Sequence, residues 1–255
     1  MAGLTRYETA GSLVNRAQRS LNLRSVDIAD PYSDPDPSIQ LLCTLVTECG
    51  QELVQNNAWQ KLVASYEFTT APGDTGDYPL PDDFGYMIDQ TQWQQGPPGA
   101  AYPLLGPASA QWWSYLEASQ LYTITIYAWF RVQQGLLTLW PQPPAVGIPI
   151  RFEYISRGWA IEGTSPPDQP AYTDNVTQSI DIVLFEPILF LKRLKLAWLT
   201  AKGFDTSKAQ DEFVVALDSW IGKDTSAPKL SLNGPLNLGT KFLDQSNVPQ
   251  TGFGS

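Results

Sequence analysis

Asp82 and Asp83 are adjacent carboxylates behind Pro81. Two carboxyl groups set across a sugar ring would make a glycoside hydrolase. Neighbouring aspartates after a proline are, more commonly, turn formers whose side chains bond the local backbone, and that is the reading favoured here. The chain has no histidine. That removes Ser-His and Cys-His dyads, an imidazole base and the usual zinc sites. The 2 cysteines are too few for a disulfide framework or a four-thiolate metal site. Cys43 and Cys49 fall six apart in a helical stretch, roughly 240° round its axis, and are expected to be buried free thiols in a chain made in a reducing cytosol. No phosphate-loop or dinucleotide glycine pattern follows a strand. Asp34-Pro35-Asp36-Pro37 lacks the glycine and glutamate of a calcium loop. No catalytic residue, metal or cofactor is therefore expected.

What remains is recognition chemistry. Trp93, Trp112, Trp113, Tyr122, Tyr127, Trp129, Phe130, Trp140, Phe152, Tyr154 and Trp159 crowd the middle of the chain. Exposed aromatics would stack on sugars or anchor a protein interface, but most of these are expected to fill a core between sheets. Trp112 and Trp113 cannot share one helix face, so one of them is the interface candidate, together with the loop tip at Pro97 and Pro98. Lys192, Lys195 and Lys202 lie within roughly an 80° stripe of one helix, with Arg193 beside it. They face either DNA or an acidic partner, or else solvent at a helix C-terminus that suits cations.

The net charge is −10, unevenly spread: residues 61–175 carry 4 basic and 11 acidic groups, whereas residues 176–255 carry 8 of each. Such a balance excludes a dedicated nucleic-acid binder, which needs clustered Lys and Arg. No secretory signal and no membrane span is expected: the most apolar stretch, 180–199, is interrupted by charges and Pro187.

The elements that must carry these residues follow from periodicity. Leu13, Val14, Ala17 and Leu21 predict a helix over about 8–23. The acidic, proline-broken linker 30–37 follows. Ser38 is expected to cap a second helix whose stripe is Leu42, Leu45, Val46, Cys49 and Leu53, ending near Asn56-Asn57. From 60 to 160 the period becomes strand-like, with about six strands: 63–70, 78–84, 86–93, a hairpin of 122–132 with 136–140 about Gln133-Gln134-Gly135, and 148–156. A short helix over 108–118 interrupts them. Pro187 opens a further helix that Gly203 closes. Asp205 or Thr206 caps a last one, with Gly222 ending it. The remaining 223–255 is rich in Gly, Pro, Asn and Ser, punctuated by Leu230, Leu232, Leu236, Leu238 and Phe242. Extended, it would reach about 110 Å.

The expected fold is α+β. N- and C-terminal helix pairs (1–60 and 176–222) form a four-helix bundle, a sandwich-like antiparallel β domain (61–175) is inserted between them, and an extended C-terminal arm (223–255) completes the chain.

Three stretches in this order are similar to the head-to-tail adaptor, or head-completion, proteins of short-tailed double-stranded DNA bacteriophages. The first is 59–70 with Tyr78-Pro-Leu-Pro-Asp-Asp-Phe84. The second is 127–141 leading into Ile148-Pro-Ile-Arg-Phe-Glu-Tyr154. The third is Phe185-Glu-Pro-Ile-Leu-Phe-Leu191 through Lys202-Gly-Phe-Asp205. The resemblance implies a non-enzymatic structural subunit at the head–tail junction of the virion, assembled in the host cytoplasm. It would form a ring of twelve copies between the portal protein and a tail tube or nozzle protein, through which double-stranded DNA passes without sequence-specific binding. It implies no cofactor and no membrane partner. In that setting Leu230, Leu232, Leu236, Leu238 and Phe242 would bind the portal, and Trp112, Trp113, Pro97 and Pro98 would meet the tail. An acidic wall would repel the DNA backbone, with Lys192, Arg193, Lys195 and Lys202 as the exception. The alternative is an aromatic-lined carbohydrate- or receptor-binding module of a virion tail.

Overall fold

The computed structural model describes residues 7–96, 100–119, 128–142, 145–166 and 168–224. In chain order these form β1 (Glu8–Thr9), α1 (Ala10–Ser20), α2 (Pro37–Asn56), β2 (Val63–Thr69), β3 (Asp77–Pro79), β4 (Phe84–Met87), β5 (Trp93–Gln95) and β6 (Ala101–Pro103). There follow α3 (Ala110–Ser119), β7 (Trp129–Gln133), β8 (Leu136–Trp140), β9 (Pro149–Ser156), β10 (Ala160–Ile161), β11 (Tyr172–Thr173), β12 (Ile182–Val183), α4 (Pro187–Lys202) and α5 (Ser207–Asp224). The architecture is α+β, with five helices and antiparallel sheets among the described residues.

Leu13, Val14 and Ala17 of α1 and Leu42, Val46, Cys49 and Leu53 of α2 are buried along one helical stripe each. They meet Leu189, Phe190 and Leu194 of α4 in one apolar cluster. α1 and α2 contact each other and both contact α4, while α5 packs chiefly on α4. Pro187 stands at the first turn of α4 and Gly203, at φ 71°, closes it with its N–H on Thr200 O, as the sequence predicts. Two capping expectations need correction. Asp36, not Ser38, caps α2: its carboxylate accepts from Ser38 N–H and Pro37 takes the first helical position. Gly222 does not end α5, which runs on to Asp224.

A small sheet lies against this helical body in the order β1-β12-β10-β11. Buried Asp181 organises it, accepting N–H groups from Gly163, Thr177 and Gln178. Trp159 is fully buried in the helical cluster, with its ring stacked on Phe185 and Phe190 and its Nε1 donating to Asp174 O at 3.1 Å.

The β body has two further sheets. One holds β2-β9-β5-β6 with β4 also on β9; the other is β3-β8-β7. Their facing sides share a second cluster: Ile150, Phe152 and Tyr154 from the first sheet, Tyr78, Phe130, Leu137 and Leu139 from the second. The β7–β8 hairpin turns at Gln134 (φ 53°) and Gly135 (φ 76°), the two positive φ values of a type I′ turn. The expected strand 86–93 is instead two strands, parted where Gln90 takes φ 64°, and β6 was not foreseen. Among the described residues, eight strands therefore lie between 63 and 156. Residues 122–127 of the expected hairpin lie outside the described residues.

Candidate functional site

α3 and the adjoining hairpin carry the most conspicuous exposed aromatic surface. Ser109 accepts the Trp112 N–H at the helix start, and one turn places Trp112 and Tyr115 side by side. Their rings stack at 5.1 Å, and Trp112 meets Trp129 of β7 at 5.4 Å. Trp112 is 39% exposed and Tyr115 53%, whereas Trp113 is 1% exposed. Trp113 packs edge-on to Trp140, donates its Nε1 to Glu117 at 2.7 Å and lies under the Arg131 guanidinium. Trp113 is thus an anchor of α3 and not a surface residue of the single chain. Tyr115, unnoticed in the sequence, takes the place beside Trp112; its i+3 spacing was the available signal. Pro97 and Pro98 lie outside the described residues.

The α4 cations are committed unequally. Arg193 pairs with Glu52 of α2 and lies 5.6 Å from the Phe213 ring centre. Lys192 donates to Glu212 O of α5 at 3.2 Å. Both tie helices together. Lys202 sits over the Trp198 ring at 5.9 Å, and Lys195 is half-exposed on the same helix. The stripe thus combines two cations spent inside the subunit with two nearer its surface. Leu230, Leu232, Leu236, Leu238 and Phe242 lie outside the described residues.

Asp82 and Asp83 border a cleft of about 570 Å³ between the β body and the small sheet, lined also by Ala64, Tyr154, Arg157, Tyr172 and Asp174. Asp83 accepts from Tyr154 Oη at 2.8 Å and Ser156 Oγ at 2.6 Å, one on each carboxylate oxygen. Its carbonyl takes the Arg157 N–H and Asp82 O takes the Arg157 guanidinium. Burial first, then the bond to Asp83, raises the Tyr154 phenol above its ordinary value. The Asp83 carboxylate is therefore the knot of the 81–84 turn onto β9.

Cys43 and Cys49 are free and buried. Burial pushes their thiols up, to about 11 and about 12, so neither is a poised nucleophile. Among the described residues, no cluster of three or more His, Cys, Asp or Glu could hold a metal ion. Among them too, no helix is long and apolar enough to cross a membrane.

The arrangement offers surfaces and tied turns: exposed aromatics on one body, cations binding helices on the other. No curated protein matches the chain. The SU10 adaptor protein family model matches residues 8–218, from β1 into α5 and through both bodies. The chain accordingly belongs to the SU10 adaptor protein family, the phage structural adaptors, and is a virion component that contacts other virion components.

Proposed function

We propose that the protein is the subunit of a twelve-membered connector ring between portal and tail. The ring extends the DNA channel, retains packaged DNA and presents a docking platform for the tail tube or nozzle. The observation that carries this reading is the family match across both the helical and the β body. In this reading the two helix pairs act as one bundle lining the ring, residues 225–255, beyond the end of α5, climb onto the portal, and the β body faces the tail with Trp112 and Tyr115 at its surface. Lys195 and Lys202 are the cations left to face the passing DNA.

Charge sets the order of assembly. At −10 per chain, twelve copies carry a formal charge of about −120, screened only beyond about 10 Å at moderate salt. Isolated protein is therefore monomeric and closes into a ring on the portal. Negative-stain imaging of the protein mixed with its portal tests the reading. A ring is expected with portal present and none without it. Deleting residues 225–255 should abolish portal binding, and Trp112→Ala should spare the ring but weaken tail attachment. A stable dodecamer of purified protein in light scattering without portal would refute the assembly order.

A further inference from the structure

The β body hangs on the helical body by a neck of two short segments. One is the 3-10 turn Gln60–Leu62; the other is Arg157-Gly158, between β9 and Trp159. On the helical side each is stopped by a buried tryptophan. Trp59 donates its Nε1 to Leu53 O at 2.6 Å and meets Phe185 edge-on at 5.6 Å, and Trp159 stacks on the same Phe185 at 6.3 Å. On the β side the segments join β2 and β9 at the paired residues Val63 and Ile155. The two crossings therefore run side by side. Away from them the bodies touch little. Among the described residues, Ile88 alone of the β body joins Val63 and Ile155 against the helical cluster, and none of α1, α2, α4 and α5 packs along a strand from β2 to β9. The cleft of about 570 Å³ bordered by Asp82, Arg157 and Tyr172 opens beside the neck. Gly158 brings the backbone against Tyr172, where an added Cβ would sit 2.6 Å from the tyrosine Cβ. Two adjacent crossings, an open cleft and little packing elsewhere make a hinge.

A distant residue holds this neck. The carboxylate of Asp224, the last residue of α5, accepts the Gln60 N–H at 2.8 Å. Gln60 opens the 3-10 turn, so its N–H has no partner within the turn, and the preceding Trp59 side chain does not cap it. Asp224 supplies that cap from 164 residues along the chain. Lys223 lies over the Trp220 ring at 4.2 Å and packs the same last turn of α5. The turn so held carries Leu62, 2% exposed, into the helical cluster and leads directly into β2. Residue 225 follows at once, so whatever draws on the chain beyond α5 draws first on Asp224.

We propose that the β body swings on this neck, opening and closing the cleft between Asp82 and the small sheet, and that Asp224 is the latch that keeps it closed. Release of the last turn of α5 frees the Gln60 turn and lets β2 and β9 tilt together. In the connector-ring reading residues 225–255 engage the portal, and a load on them reaches the β body through this one hydrogen bond. Only the source of that load rests on the ring reading. The latch is a property of the isolated subunit, so its failure and the failure of the ring are separate results.

Double electron–electron resonance on the full-length protein without any partner tests it. Spin labels at Asp82→Cys, on the β side of the cleft, and Glu162→Cys, beside the small sheet, report the opening; the buried Cys43 and Cys49 stay unlabelled. Asp224→Ala removes the acceptor. Gln60→Pro removes the donor and keeps the turn, because proline suits a first helical position and Trp59 already holds the extended ψ of 127° that precedes a proline. Each should raise the ratio of wide to narrow separation about fivefold, the worth of one hydrogen bond, and the two together should add nothing further. Asp218→Ala, exposed on the same helix, should leave the distribution as it is. A distribution unmoved by either variant overturns the proposal. So does a shift in only one of them, an additive shift in the pair, or an equal shift with Asp218→Ala.

Discussion

Gly50 lies in the middle of α2, where a glycine costs helix stability, and the contact it makes with Trp159 explains its presence there. A Cβ built on Gly50 would sit 2.2 Å from Cε2 and from Cζ2 of the Trp159 indole. Carbon atoms in contact stand about 3.5–4.0 Å apart, so Gly50→Ala demands a displacement of more than 1 Å. The indole has little room to yield: Phe190 stacks at 5.9 Å, Phe185 at 6.3 Å, and Nε1 is bonded to Asp174 O. Overpacking of this kind costs about 3 kcal/mol at the upper end of its usual range. Alanine recovers about 1 kcal/mol of helix propensity, for a net loss of about 2 kcal/mol. With a urea slope of about 2 kcal/mol/M, the midpoint followed by far-UV circular dichroism should fall by about 1 M. Trp159→Ala removes the whole indole that the new methyl would strike, Cδ2 at 2.5 Å included. In that background Gly50→Ala should be neutral or stabilising, a coupling of about 2–3 kcal/mol. An unchanged or raised midpoint for Gly50→Ala in the otherwise native chain, or the same loss in both backgrounds, would refute the packing argument.

Three further outcomes follow from the geometry. Asp83→Ala strands the Tyr154 hydroxyl and removes a partner of Ser156, so it should cost about 1–3 kcal/mol; a loss within 0.5 kcal/mol of zero, roughly the spread of neutral surface changes, would show the turn is not tied there. The Asp36 carboxylate is held below its ordinary value by the Ser38 N–H first, opposed by desolvation and then reinforced by Arg24. A carboxylate depressed in the folded state adds stability above its unfolded value, lost as pH falls through the folded one. Stability should therefore drop below about pH 4, the free-carboxylate range, and Asp36→Asn should flatten that limb of the pH profile; an unaltered acid limb counts against the cap. Cys43 and Cys49, with thiols pushed up to about 11 and about 12, should react with a disulfide reagent at pH 8 only after denaturant is added, and rapid labelling of the native chain would contradict their burial.

The helical body was the most legible part of the sequence because its signals are local. The stripe of α2, Pro187 and Gly203 each act within one or two turns. The β7–β8 hairpin was legible for the same reason, since Gln134-Gly135 carries its own turn geometry. What escaped detection depends on distant partners. β10, β11 and β12 are two residues each, too short for any alternation, and exist because Asp181 gathers three N–H groups between them and the loops. Gly222 reads as a stop, yet its penalty of about 1 kcal/mol is outweighed at the end of α5, where Lys223 covers Trp220 and Asp224 holds Gln60. The site divides in the same way. Helical stepping separates Trp112 from Trp113, but only Trp140 and Arg131, far along the chain, decide which one is buried. The cation stripe is visible at 100° per residue, while the Glu52 that claims Arg193 is not.

The pairing of β1 with β12 joins Glu8 to Val183, nearly the whole described chain apart. A ribosome releases the two partners in sequence, so α1 and α2 wait without their neighbours while everything between is made. The β body, closed by β2 with β9 from 63 to 155, has its last strand once Ser156 emerges. The helical body cannot, because its central helix, α4, begins only at Pro187. Since forming contacts of large sequence separation slows folding, the stripes of α1 and α2 are exposed longest in the nascent protein. A chain cut short before Pro187 therefore holds every strand of the β body but leaves α1 and α2 without the helix they pack against.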